Sequence, residues 1–260
     1  IIKEKKPKTL FGYSSNIVLI ANAAWENNIT FNTKRVYLSG EPYTEADCER
    51  IKRAFPKARI LGIYGCTEGG AMAYECKYGH MHINSDLVLL EAVDKDYNPL
   101  PYDTPSEQTL ITNYSNKVQP LVRFVLGDSI TLHHGCKCGL KDDWVEVQGR
   151  ANDILPFEGD DGKTVYCSAI SMLLCMEDAS MHGFENFREY QVVLHEPNSL
   201  EIRLDCYKPE EKEKLFENVK KIISDYLATL SVSNVNIYLS DKLPQATTAS
   251  GKRKRIYIEK

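Results

Sequence analysis

Short apolar runs alternate with amphipathic stretches along the first 85 residues. Residues 16–26 carry apolar side chains at helical spacing, and 35–38 form a short buried-strand run ending in Ser39-Gly40. Residues 44–55 predict a second helix, with Thr44 at its N-cap and Asp47 three positions on. A further strand over 58–64 runs into Gly65. Strands alternating with helices of this length predict a parallel sheet. Ligands of such sheets bind beyond the carboxyl ends of the strands. Ser39-Gly40-Glu41-Pro42 and Tyr64-Gly65-Cys66-Thr67-Glu68-Gly69-Gly70 both fall there.

From about residue 86 the period falls to two. Residues 86–93, 108–114, 121–125 and 129–133 predict antiparallel strands joined by turns, expected to form a small β-barrel or β-ribbon. Gly149-Arg150-Ala151-Asn152-Asp153 marks a boundary. Beyond it the order helix, strand, strand, helix, strand predicts a small α+β sandwich. Its clearest parts are a hairpin of 190–195 with 200–204, a helix over 209–229 with Pro209 in its first turn, and a last strand over 235–239. The expected fold class is therefore α/β plus α+β. Residues 1–150 form one domain (a parallel-sheet segment 1–85 and a barrel segment 86–150), and 151–260 form a second, smaller one.

Composition narrows the partners. The chain is 43% apolar and 26% charged, as in ordinary globular proteins, and its net charge of −4 offers nothing to nucleic acid or an anionic membrane. No run approaches the roughly 20 apolar residues of a membrane span. Eight cysteines without a secretion signal predict free thiols in a reducing, cytoplasmic setting. The first residue is Ile1 rather than Met, so the chain is expected to begin inside a longer protein.

The sharpest chemical signal is the 64–70 stretch. A strand leading into Gly-x-Thr-Glu-Gly-Gly offers close backbone approach, a hydroxyl and a carboxylate, the parts needed to hold a nucleotide phosphate and its Mg²⁺. Composition alone would equally permit a glycine-rich turn with a surface Glu. Three more motifs follow in order: 120–128, ending in Leu126-Gly127-Asp128; Gly149-Arg150-Ala151-Asn152-Asp153; and Ser250-Gly251-Lys252 after Leu243-Pro244. Each is weak in isolation, but four in this order at these spacings are hard to get by accident.

In these motifs the chain resembles the acyl-adenylate-forming superfamily of acyl- and aryl-CoA ligases, luciferases and peptide-synthetase adenylation domains. Ser39-Gly40-Glu41-Pro42, the Cys138-Gly139 pair, and Glu75-Cys76 followed by His82-Ile83-Asn84 make it most similar to phenylacetate–coenzyme A ligases and capsular-polysaccharide relatives. The resemblance covers roughly 12–255. It implies ATP-dependent activation of a carboxylic acid to an acyl-adenylate and transfer to coenzyme A, or to a protein or sugar acceptor in the capsule-associated branch. It also admits a homodimer.

Residue by residue, the resemblance assigns Gly40, Glu41 and Pro42 to the adenine, with Tyr64 packing against it and Gly65 beside it. Thr67 hydrogen-bonds the adenylate phosphate, and Glu68 helps place Mg²⁺. Asp128 takes both ribose hydroxyls, and Arg150 reaches the ribose or phosphate. Asn152 occupies a hinge where relatives have Asp or Lys. Lys252, on a mobile small domain, stabilises charge as the carboxylate attacks. The catalytic set is thus Lys252, Thr67 and Glu68. Two departures stand out. The Ser/Thr/Gly-rich phosphate loop is absent and expected upstream of Ile1, so the fragment alone is expected to be inactive. Val125-Leu126 replaces the Arg-Thr frequent before Gly-Asp.

The cysteines suggest one further centre. Cys136-Lys137-Cys138 puts two thiols on a tight turn, and with Cys76 and His82 they could close a tetrahedral, structural Zn²⁺ site. His80 is an alternative to His82, His133-His134 lie just ahead of the pair, and buried thiols with a surface His would give the same spacing. Cys66 is expected to pack rather than attack. The basic run 252–255 belongs to the Ser-Gly-Lys motif rather than to a nucleic-acid patch. His182 and His195 are expected to be surface or satisfied residues.

Overall fold

The computed structural model describes residues 1–150, 154–181, 187–195, 198–246 and 253–259, excluding the side chains of 150, 180 and 181. The chain opens with α1 (Ile2–Lys5), β1 (Thr9–Tyr13), α2 (Ser14–Glu26), β2 (Arg35–Ser39), α3 (Glu45–Ala54), β3 (Arg59–Cys66), β4 (Gly70–Glu75) and β5 (Met81–Ile83). It continues through β6 (Val88–Val93), β7 (Gln108–Asn113), β8 (Phe124–Val125), β9 (Asp128–His133) and β10 (Trp144–Arg150). The last stretch holds β11 (Ile154–Glu158), β12 (Thr164–Ser168), α4 (Ala169–Met181), β13 (Phe187–His195), β14 (Ser199–Cys206), α5 (Lys212–Thr229), β15 (Asn236–Leu239) and β16 (Ile256–Ile258).

Two compact units result. The first gathers Ile1–Ile17, Thr30–Pro42 and Phe55–Asn152; the second gathers Val18–Ile29, Tyr43–Ala54 and Asp153–Lys260.

A seven-stranded sheet of order β1-β2-β3-β4-β5-β10-β9 organises the first unit. The predicted parallel segment is present: β1, β2 and β3 run parallel, with Tyr13 opposite Ser39 and Ser39 opposite Ile63. From β4 onward the pairing is antiparallel. The strand β1 is five residues long and only half-buried, too short and too mixed to register as a period in the sequence.

The expected barrel does not close. Among the described residues, β6, β7 and β8 form a separate three-stranded sheet, while β9 and β10 join the large one. The segment 103–106 bonds β9 through Asp103 N–H to Leu132, an isolated bridge of Pro105 to Thr131, and Ser106 N–H to Ile130. Pro105 has no N–H to extend a ladder, so this link stays a few bonds long. Met72, Ile83, Val88, Leu90, Ile111, Ile130 and Val145 pack together as the core between these strands.

In the second unit a four-stranded sheet of order β15-β14-β13-β16 carries the core. Alternation decides its faces. Val192, Leu194, Leu200, Ile202 and Leu204 join Met172, Met176, Phe216, Val219 and Ile223 in one apolar cluster with α4 and α5. The expected order is corrected at its start, where a hairpin, β11 with β12, precedes α4. Five-residue strands alternating around Pro156 give too weak a pattern to have been found.

The predicted cap of α3 is a reciprocal pair: Asp47 N–H donates to Thr44 Oγ1 (3.2 Å) and Thr44 N–H to Asp47 Oδ2 (3.1 Å). Glu177 accepts from the Glu45 and Ala46 amides at the same end. Arg255 closes on buried Asp47 with two bonds of 2.6 and 3.0 Å. Arg253 pairs with Glu189. Two of the four residues in the basic run are therefore held by carboxylates within this unit.

Candidate functional site

Parallel pairing of β2 with β3 places the Gly40-Glu41-Pro42 loop and the 64–70 turn at the same carboxyl edge, because Ser39 and Ile63 are register partners. Gly40 has φ +75°, and a Cβ there would come within 2.9 Å of the Tyr13 ring. The loop is anchored by Ser14 Oγ donating to the Glu41 carbonyl (3.0 Å) and the Ser15 amide donating to the Glu41 carboxylate (3.0 Å). Pro42 is exposed beside it.

The 64–70 stretch is a hairpin turn. Cys66 pairs with Gly70, so Thr67, Glu68 and Gly69 form its tip, with the Thr67 side exposed. The Gly69 amide donates to Cys66 Sγ (3.2 Å) and Asn113 Nδ2 to the Glu68 carbonyl (2.7 Å). Asn113 escaped the sequence reading, since nothing in a lone strand-terminal Asn signals a partner 45 positions away. Burial raises the Cys66 thiol to about 11, so it stays protonated and packs, touching Met72 sulfur at 3.7 Å.

Glycine is required at 65 for space. A Cβ there would lie 2.6 Å from the Gly70 carbonyl oxygen, which is backbone and cannot swing away. Gly65→Ala is expected to destabilise the fold by about 1–3 kcal/mol, the usual cost of overpacking. Urea unfolding checks this, and an unchanged midpoint would mean that the turn yields freely.

Tyr64 and Asp128, 64 residues apart, meet directly. The Tyr64 hydroxyl donates to Asp128 Oδ2 at 2.6 Å. Thr109 Oγ1 donates to the Asp128 carbonyl at 2.7 Å and fixes the strand behind it. Arg150 stands opposite Asp128 in the β9–β10 ladder. The carboxylate is half-buried and follows Gly127, whose φ is +71°. A phenol hydrogen-bonded to a carboxyl group can offer a flat ring to a base, with the carboxyl oxygens as acceptors for a diol. Asn152 and the Ser250-Gly251-Lys252 motif lie outside the described residues, as does His182.

The cysteine cluster also converges. One ligand atom from each of Cys76, His82, Cys136 and Cys138 lies within 4.8 Å of every other. His133 and His134 point elsewhere: their Nδ1 atoms pair with Asp103 and Asp143. His195 is satisfied by Glu201 at 2.8 Å.

Among solved structures this fold is shared by several CoA ligases. A 2-hydroxyisobutyryl-CoA ligase, crystallised in a postadenylation state with its acyl-adenylate, matches with a TM-score of 0.75 at 18% identity over 99% of this chain and 56% of its own. The anthranilate-CoA ligase AuaEII, in complex with anthranoyl-AMP, matches at 0.63 with 16% identity over 97% of this chain and 49% of its own. A benzoate-CoA ligase from Burkholderia xenovorans LB400 matches at 0.62 with 19% identity over 95% and 50%. The chain thus spans about half the length of each, and at these identities the likeness establishes the fold. The sequence matches no protein-family model and no curated protein. Among the described residues no helix is long and apolar enough to cross a membrane.

Proposed function

We propose that this chain is the carboxyl-terminal part of an adenylate-forming ligase that activates a carboxylic acid with ATP and passes the acyl group to coenzyme A. The observation that carries the proposal is the Tyr64–Asp128 contact at 2.6 Å, one strand position from the Gly-Cys-Thr-Glu-Gly-Gly turn. Solved neighbours that share the fold hold acyl-adenylates. In the proposed division, 1–150 ends the nucleotide-binding domain and 151–260 is the mobile small domain.

The chemistry has two displacements. A substrate carboxylate oxygen attacks the α-phosphorus of ATP, the bond to pyrophosphate breaks, and acyl-AMP forms. The thiol of coenzyme A then loses its proton and attacks the acyl carbon, and AMP leaves. Gly40, Glu41, Pro42 and the Tyr64 ring line the adenine, with Gly65 keeping the backbone close. Asp128 accepts from the ribose hydroxyls, with Arg150 nearby. Thr67 donates to the phosphate. Glu68 would hold Mg²⁺, which supplies charge neutralisation on the phosphates. Lys252 stabilises the charge building at the α-phosphate and withdraws with the small domain for the second step. Transfer to coenzyme A by a phenylacetate–coenzyme A ligase-like enzyme is the branch favoured by the Glu75-Cys76 and Cys138-Gly139 pairs.

ATP–pyrophosphate exchange by the full-length protein, with a panel of aryl and short-chain acids, tests this. Exchange that depends on one acid and vanishes in Lys252→Ala supports it. A folded protein that binds ATP yet exchanges with no acid overturns it in favour of a nucleotide-binding module.

A further inference from the structure

Two turns in the first unit repeat one local design. Cys76-Lys77-Tyr78-Gly79 joins β4 to β5, and Cys136-Lys137-Cys138-Gly139 lies between β9 and β10. In each, the amide two residues on donates to the cysteine sulfur at 3.4 Å: Tyr78 N–H to Cys76 and Cys138 N–H to Cys136. In each, the glycine amide bonds back to the cysteine carbonyl, at 3.2 and 3.3 Å. Both glycines have left-handed backbones, φ +81° and +91°, which a side chain would strain. The Leu140 amide donates to Cys138 Sγ in the same way, at 3.4 Å. Amides aimed at sulfur stabilise thiolates, which is the form that binds a metal.

Two donor pairs stand at tetrahedral separations, and all four donors lie within 4.8 Å of one another. Zn–S bonds of about 2.3 Å at the tetrahedral angle set two sulfurs about 3.8 Å apart, and a sulfur and an imidazole nitrogen about 3.5 Å apart. Cys76 and Cys136 sulfurs stand at 3.8 Å, unbonded, and Cys138 Sγ lies 3.3 Å from His82 Nε2. His82 is buried, and its Nδ1–H donates to the Asp142 carbonyl at 2.9 Å, which leaves the Nε2 lone pair facing the sulfurs. A ligating histidine is ordinarily fixed this way. His80 occupies another position. Its ring stacks on Trp144 at 4.0 Å, and its Nδ1 meets Cys136 Sγ at 3.2 Å.

We infer that Cys76, His82, Cys136 and Cys138 bind one zinc ion in a closed tetrahedral site, and that His80 is a hydrogen-bond donor to the Cys136 thiolate rather than a ligand. Three thiolates and a neutral imidazole leave the centre with one net negative charge. His80 N–H offsets part of it. With all four positions taken by protein the ion is structural, tying the β4–β5 turn to the β9–β10 connection.

Elemental analysis of the 260-residue chain purified without chelator should give one zinc per chain. Replacement by Co²⁺ should give thiolate charge-transfer bands, tetrahedral d–d absorption and quenching of Trp144 in a Trp25→Phe background. Cys138→Ser and His82→Asn should each lose the stoichiometric metal. His80→Ala should keep it, with affinity lowered about 10–100-fold as for other outer-shell changes. A folded chain with no zinc and no cobalt–thiolate bands overturns the site. Loss of metal in His80→Ala with retention in His82→Asn overturns the ligand assignment. If His82→Asn does not fold, the intact fold and lost metal of Cys138→Ser carry the result, and retained metal in that variant sinks the site.

Discussion

Asp128→Ala is expected to weaken binding of a hydrolysis-resistant acyl-adenylate analogue by about a hundredfold. The two carboxylate oxygens can accept from two vicinal hydroxyls at once. Each such charge-assisted bond contributes about 1.5–3 kcal/mol. Losing two, with partial replacement by water, leaves about 3 kcal/mol, or about two decades in Kd. The same change strips the Tyr64 hydroxyl of its 2.6 Å acceptor. Tyr64→Phe removes that bond while keeping the ring, and is expected to cost only about 1 kcal/mol, a few-fold in affinity. The fold should survive both, because Asp128 is half-buried and its strand is held through its carbonyl by Thr109. Calorimetric titration measures the two variants side by side. Unchanged affinity in Asp128→Ala would remove the ribose assignment.

The largest stability effect is expected from the buried pair on the sheet face opposite the apolar core of the second unit. Leu200, Ile202 and Leu204 of β14 point into that core, so Glu201 and Arg203 share the other face. Arg203 grips Glu201 with bonds of 2.8 and 2.9 Å, and both side chains are 3% exposed. Ser240 Oγ donates to Glu201 at 2.6 Å, His195 Nε2 lies at 2.8 Å, and Arg203 also reaches Tyr257 and Glu259. Arg203→Met would leave a carboxylate buried without its cation, at a cost of about 3–5 kcal/mol. The double variant Glu201→Leu with Arg203→Met should recover most of that loss, since the expensive element is the unpaired charge.

A pH dependence follows from the same pair. Hydrogen bonding by Arg203 holds the Glu201 carboxyl at about 2, against an ordinary value of 4.5. A depressed native pKa gives stability that is complete above the unfolded value. Here about 3 kcal/mol is present above pH 4.5 and is lost as pH falls through 2. Urea unfolding of the wild type at pH 7 and pH 2.5 should show the loss, and the double variant should lack it. An equal acid loss in both proteins would place the effect in other carboxylates, such as Asp47, which Arg255 and Arg50 hold below its usual range against the cost of burial.

The sequence by itself determined most of the local architecture. Apolar periodicity located β2, β3, α3, α5 and the β13–β14 hairpin to within a few residues, because each has enough turns or alternations to show its period. The Thr44–Asp47 cap was legible because capping is a three-residue rule. The glycines and acidic residues of 64–70 and 127–128 were legible as motifs. Tertiary structure decided what these pieces meet. No local signal says that β9 and β10 leave the β6–β8 strands for the edge of the large sheet, since alternation is the same in an open sheet and a closed barrel. In the proposed zinc site the choice between His80 and His82 turns on which ring nitrogen the Asp142 carbonyl and the Trp144 face leave available, contacts made across 60 residues or more. The pairing of Tyr64 with Asp128 and the burial of Glu201 with Arg203 likewise depend on strand register. Register is fixed by the packing of whole sheets and not by the residues that end up side by side.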